Sequence, residues 1–253
     1  MVAARRFDLL PRFGIEPTVQ ALVRIALDEA ITRASVSHAV SPGAGSPTNG
    51  HGTMRVAALD AGCGRMSHLR PFRDRIDRLV GVDIHEPAQP LTHLDEFTIV
   101  DLCGPADGFP EASFDVVLSS FTLEHFADPP AALANIRRWL RPGGTLVATT
   151  VNRRHPFVEA YLALPSGPRS KVQALVKASA ADAHPLVGAC NTPAEIRRDL
   201  AAAGFESIDL RTVGHLARAW GRHLPTFALG FTGDVLAQSL PSRRSTIVVV
   251  AKA

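Results

Sequence analysis

The chain has 253 residues, 46% hydrophobic and 20% charged, with a formal net charge of +3. That apolar content excludes a long disordered protein, three cysteines exclude a disulfide scaffold of this size, and no run reaches the roughly 18–20 uncharged apolar residues of a membrane-spanning helix. All but Lys171, Lys177 and Lys252 of the 27 basic residues are arginine, in pairs scattered along the chain; with only 6% aromatics they read as solvated surface charge and not as a nucleic-acid stripe.

Residues 17–34 predict an amphipathic helix, with Val19, Leu22, Val23, Ala26, Leu27, Ala30 and Ile31 on one stripe and Pro17 in the first turn. The Ser-, Gly- and Pro-rich segment 41–52 then reads as a flexible linker. It divides an N-terminal helical arm, 1–40, from a main domain, 53–253. Short apolar runs at 54–59, 78–82, 97–100, 114–119 and 145–151 predict strands that are apolar on both faces, as in a helix-covered parallel sheet. Between the last two, 129–140 predicts a helix capped by Asp128, and Pro142-Gly143-Gly144 turns the chain. A helix at 193–203 follows, with Thr192 and Glu195 at capping-box spacing and Gly204 as its stop, then strands at 205–213 and 246–251. This alternation predicts a doubly wound α/β fold.

The chemistry gathers where these strands end. In "LDAGCGRMSHL" the first strand runs out at Asp60, and Gly62 and Gly64 let the backbone turn sharply and approach a ligand. A following helix N-terminus would favour an anion there. "LVGVDI" puts Asp83 at the end of the second strand, where an acid can accept both hydroxyls of a ribose. "FTIVDL" puts Asp101 at the end of the third, in reach of an exocyclic amine of adenine. One such acid is often only a helix cap; three on successive strands beside a glycine turn point to a nucleotide-like cofactor.

Together with "FDVVLSSFTLEHFADP" and "LRPGGTLVATT", these segments resemble the class I S-adenosylmethionine-dependent methyltransferases of the broad small-molecule type, over about residues 54–151 with a weaker echo at 192–213. The resemblance implies a seven-stranded sheet of order 3-2-1-4-5-7-6 with the last strand antiparallel. It implies that Asp60, Ala61, Gly62 and Gly64 line the methionine part of S-adenosylmethionine, and that Asp83 with Ile84 holds the ribose. Asp101 and the Leu102 amide would hold the adenine, and Ser119 and Ser120 would flank the sulfonium. Met66 stands where the family has a third glycine. Some relatives bind a divalent metal through an acid three places before the Glu-His pair; here Phe121 precedes Glu124 and His125, and no metal is expected. A dinucleotide-dependent dehydrogenase fits less well, since Ser67 breaks its glycine fingerprint. A non-catalytic cofactor-binding or partner subunit of the same fold is the other alternative.

The acceptor is expected to be a small molecule or a glycan- or lipid-linked intermediate, methylated on oxygen, with no nucleic-acid partner. His155, directly after the fifth strand, is the first candidate base, and His125 and His184 are the others. Arg153 and Arg154 are placed to hold an anionic acceptor. Two insertions shape specificity: a lid at 152–191 with a helix over 169–180, and an apolar excursion at 214–244 with Trp220, Phe227 and Phe231. The second reads as an acceptor wall, a dimer contact, a peripheral membrane helix flanked by arginines, or a hairpin packed on the core. Cys63, Cys103 and Cys190 form no CxxC pair, and no apolar leader follows Arg5-Arg6, which points to the cytoplasm.

Overall fold

The structure is a computed structural model that describes residues 10–13, 15, 18–40, 56–64, 67–87, 89–176, 189–221 and 223–253. Its centre is a seven-stranded sheet in the order β3-β2-β1-β4-β5-β7-β6. The strands are β1 (Ala57–Ala61), β2 (Arg78–Asp83), β3 (Glu96–Ile99), β4 (Phe114–Ser120), β5 (Leu140–Val151), β6 (Glu206–Val213) and β7 (Thr246–Lys252). β1 to β5 pair in parallel, and β7 runs antiparallel between β5 and β6. β6 therefore points the same way as β5, and both deliver their carboxyl ends to the same edge.

Alternation along the strands sorts the core into two layers. Ala58, Val116, Leu118, Val147 and Val248 point to one face, where helix α1 (Val19–Val40) buries Val23, Leu27 and Ile31 against them. Leu59, Val117, Leu146, Ile247 and Val249 point to the other. There α2 (Pro129–Trp139) and α5 (Pro193–Ala202) cover them with Leu133, Ile136, Ile196 and Leu200. Side chains cap both helices as their sequences predict: Asp128 accepts from the Ala131 amide at 3.2 Å, and Thr192 from the Glu195 amide at 3.3 Å.

Three expectations change. The N-terminal helix packs on the main domain: with Leu69, Phe72 and Ile76 it covers one face of the sheet. At its end His38 Nε2 lies 2.8 Å from Asp115, whose other oxygen accepts from the Ala57 amide and from Arg141. The linker 41–52, Pro17, Met54, Arg55, Met66, His184 and Arg222 lie outside the described residues. Second, β3 is not apolar on both faces but an exposed sheet edge, with Ile99 58% exposed and Glu96 paired to Arg78. Third, the described chain after the glycine turn forms only a 3-10 turn, Arg70–Arg75, and not an α-helix with free N-terminal amides. The lid region contains α3 (Pro156–Ala163) and α4 (Ser166–Val176); residues 177–180 of the expected lid helix lie outside the described residues. The 214–244 excursion is helical, α6 (Leu216–Ala219) and α7 (Leu224–Ala237), and packs on itself and on the start of β7.

Candidate functional site

The glycine turn is held from both sides. The amides of Gly62 and Cys63 both donate to the Val82 carbonyl, at 2.8 and 3.0 Å, which bends the chain off β1 toward β2. Gly62 has φ +77°, and a Cβ there would lie 2.4 Å from the Thr122 side chain, so the loop after β4 presses directly on the turn. Thr122 Oγ1 donates to the Ala61 carbonyl at 3.3 Å. Gly81, inside β2, leaves the space that Cys63 Sγ and Leu94 fill. Burial, with Asp60 and Asp83 close by, pushes the Cys63 thiol up to about 12, so it is inert packing.

Asp60 is 2% exposed. Burial, opposed by a Ser67 hydrogen bond and aided by the charge of Asp83, raises its carboxyl to about 7. Its Oδ2 has no hydrogen-bond partner, nor has the buried Oγ of Ser119 at the end of β4. Register places Asp60 beside Leu118. The two orphans thus approach the carboxyl edge from opposite faces of the sheet, as suits a ligand lying across that edge. Asp83 accepts from the Gly64 amide at 3.1 Å and the His85 amide at 3.2 Å, with lone pairs left for hydroxyl donors. Beside it Ile84 is 54% exposed, an apolar surface open to solvent. Asp101 is exposed and accepts from the Cys103 amide at 2.9 Å, while Asn135 of α2 fixes the Leu102 carbonyl at 3.0 Å. The structure separates the two serines. Ser120 points to the other face from Ser119 and already meets Thr149 Oγ1 at 3.3 Å.

His155 is not at an open rim. It is fully buried and caps α3, its Nδ1 accepting from the Phe157 amide at 3.2 Å. Gly233 of α7 packs against its ring, and a Cβ there would sit 3.0 Å from Cε1. Burial lowers its basicity, and Asp234 with the Gly233 carbonyl offsets part of that, although Nε2 makes no well-directed hydrogen bond. Around it Asp234 accepts from the Ala217 amide and Ser245 Oγ, both at 2.8 Å, and Asn152 donates to the Ser242 and Arg244 carbonyls. This is a scaffold joining β5, α7 and β7. His125 is half-buried and closes the turn after β4 through its amide, while Glu124 is buried and accepts from Thr150 Oγ1 at 2.7 Å. A cavity of about 600 Å³ beyond β5 is lined by Arg153, Arg154, Thr192, Glu195 and Arg243, and Arg153 is bonded there to Glu195 at 2.5 Å.

His215, absent from the sequence reading, stacks at the carboxyl edge on Phe121, next to the Thr122 that touches the glycine turn. Phe121 follows Ser120 with φ +55°, rare for a bulky residue, and its amide donates to Thr149 O and Oγ1. The His215 ring stacks on it at 5.8 Å and 24°. Burial, then Arg218 and His68, bring His215 down to about 4, and its Nδ1 is buried without a partner. His68 belongs to the loop after Gly64, so three chain segments meet here. The signal that pointed to His155, a histidine just past a strand's carboxyl end, applies equally to His215 after β6.

Residues 59–148 match a family model described as a methyltransferase domain. The chain is 31% identical over 171 residues to Nocamycin O-methyltransferase of Saccharothrix syringae, covering 60% of each. It is 32% identical over 103 residues to Ubiquinone biosynthesis O-methyltransferase of Idiomarina loihiensis, covering 38% of this chain and 42% of that one. The chain thus spans about 60% or less of these relatives' length. In fold it is similar to an S-adenosylmethionine-dependent methyltransferase from Thermotoga maritima, with TM-score 0.51 and 16% identity over 91% of both chains. It is also similar to a Haloferax volcanii methyltransferase solved with the Trm112 activator, with TM-score 0.53 and 18% identity over 99% of this chain and 93% of that one. The glycine turn, the strand-end acids and the 3-2-1-4-5-7-6 sheet are carried by the same residues, so residues 59–148 form a methyltransferase domain, and the chain is similar in sequence and fold to S-adenosylmethionine-dependent methyltransferases.

Proposed function

We propose that the protein transfers the methyl group of S-adenosylmethionine to an oxygen of a small-molecule, glycan-linked or lipid-linked acceptor. The observation that carries the reading is Asp60: a buried carboxylate with an unpartnered oxygen, next to a positive-φ glycine turn, at the carboxyl end of β1. An acid in that state is completed by a cationic ligand, and the cofactor is cationic. When bound, it supplies an activated methyl on sulfur. Asp60, Ala61, Gly62, Gly64 and Ser119 hold its methionine end, Asp83 accepts from its ribose hydroxyls, and Asp101 and Leu102 take the base against exposed Ile84. Ser120 supports the edge through Thr149.

On the acceptor side His68, Phe121 and His215 form the wall. His215 is neutral at physiological pH, so its imidazole accepts a hydrogen bond from a hydroxyl and orients it without competing as a cation. So weak a base leaves most of the rate to alignment, where effective molarities reach about 10⁵–10⁸ M. His155 acts from behind, as a positioning residue that fixes α3 against α7. The names of the oxygen-methylating relatives favour oxygen over nitrogen.

The test is to incubate the protein with methyl-labelled S-adenosylmethionine and separate pools of phenols, carboxylic acids and amines, with Asp83→Ala as control. Label in a hydroxyl or carboxyl product, lost in the control, supports the reading. Label confined to amines overturns the oxygen assignment. Tight cofactor binding without label in any pool favours the non-catalytic subunit.

A further inference from the structure

Helix α7 is apolar around its whole circumference, but only one side is covered. Phe227, Gly230, Gly233, Asp234 and Ala237 face the protein. Leu224, Leu229 and Leu236 are 67%, 51% and 65% exposed, and Leu240 just beyond the helix is 51% exposed. Pro225, Leu229, Thr232, Leu236 and Leu240 fall on one continuous outer stripe. Residues 224–240 contain a single ionisable side chain, Asp234, and it is fully buried. A helix apolar on all sides belongs in a core or at a lipid boundary, and a contiguous exposed apolar patch marks an interaction surface.

The margins of the patch are basic. Arg243 is exposed, and its amide donates to the Leu240 carbonyl. The Arg244 guanidinium donates to the Gln238 carbonyl at 3.0 Å, over the end of the helix. Arg218 lies on α6, which packs against α7. At the other margin Phe13, 49% exposed, meets Phe231 edge-on at 5.0 Å, with exposed Arg12 beside it. Between 214 and 244 the only acid is the buried Asp234.

We infer that this face seats on an anionic lipid surface, with α7 lying in the interfacial plane, its leucines in the headgroup boundary and the exposed Arg12 and Arg243 against the phosphates. A second copy of the chain is a poorer occupant, because an isologous pair would set the same arginine-rimmed patch against itself. No helix among the described residues is long and apolar enough to cross a membrane, so the contact lies on the surface. The inference does not depend on methyl transfer.

The experiment is co-sedimentation of the full chain with phosphatidylcholine vesicles with and without roughly 30% phosphatidylglycerol. Wild type is expected to bind the anionic vesicles about five-fold or more better than the neutral ones, with binding falling as salt rises from about 0.1 to about 0.5 M. Leu229→Glu combined with Leu236→Glu should cut that binding about five-fold while leaving Tm and cofactor affinity unchanged. No binding by wild type, or equal binding by the double variant, overturns the inference. So does a wild-type dimer in light scattering that the double variant splits, which would make a second copy the occupant.

Discussion

The carboxyl ends of β1, β2 and β4 and the carboxyl end of β5 lie on one sheet edge, yet their buried carboxylates are met differently: Asp60 keeps an unpartnered oxygen, while Asp234 accepts from the Ala217 amide and Ser245. At the first, Asp60 Oδ2 and Ser119 Oγ are buried without partners, and an exposed isoleucine stands beside an acid. At the second, Asn152, Asp234 and Ser245 are knitted into backbone amides and carbonyls, while His155 Nε2, the Asn191 amide, Glu195 Oε2 and Arg244 Nε stay without partners around them. Unmet hydrogen-bonding capacity beside a glycine turn describes a place awaiting a ligand, and met capacity describes a brace. The two histidines that follow strands, His155 and His215, each keep one buried ring nitrogen without a partner, but His155 caps a helix through its other nitrogen and His215 stacks on Phe121.

The largest effect expected from this contrast is in the brace. Asp234→Ala leaves the Ala217 amide and the Ser245 hydroxyl without their buried acceptor. It should cost about 2–4 kcal/mol, or about 5–15 °C in Tm, while the folded fraction binds cofactor as wild type does. Calorimetric affinity that falls with stability would merge the two regions. Next, Asp83→Ala should weaken cofactor binding by about 1.5–3 kcal/mol. Its carboxylate also ties the Gly64 amide, so partial recovery by Asp83→Asn would separate turn support from ribose contact.

A subtler test uses pH. Asp60 titrates near 7 when the site is empty, and a cationic ligand requires it ionised. Binding should therefore release a proton, and affinity should rise roughly tenfold between about pH 6 and about pH 8 and then level off. Asp60→Asn should flatten that rise. The sign for stability is the reverse. A carboxyl raised on folding stabilises the empty protein least where it must ionise, so ligand-free Tm should fall as pH climbs from 3.8 toward about 7. The smallest effect separates the two glycines. Both have positive φ, but only Gly62 faces Thr122 at 2.4 Å, while a Cβ on Gly64 meets nothing within 4 Å. Gly64→Ala should cost about 1 kcal/mol of stability, and Gly62→Ala measurably more. Equal melting shifts would show that Thr122 does not press on the turn.

The strands' places along the chain and the acids were legible because each has a local signature, an apolar run and then Asp60, Asp83 or Asp101; the order of the strands in the sheet came only from the resemblance. Helix caps at Asp128 and Thr192 were legible for the same reason. What escaped depends on contacts between distant segments. The stripe from Val19 to Ile31 reads as an amphipathic helix but does not say that its partners are Val116, Val147 and Val248. β3 reads as apolar, but its edge position comes from topology. His155 and His215 have the same local sequence context, and only the packing of Gly233 on one and Phe121 on the other tells them apart.

Helix α1 also sets an order of assembly. Its apolar stripe rests on β4, β5 and β7, and its tail is pinned by Asp115 of β4, 77 residues away. None of that landing surface exists until strands from both halves of the chain have paired, the last of them about 200 residues downstream. This helix, synthesised ahead of every strand it rests on, is therefore among the last to dock. Until it does, Leu118, Val147 and Val248 present a bare hydrophobic sheet face, the stage at which a folding chain is most exposed to aggregation.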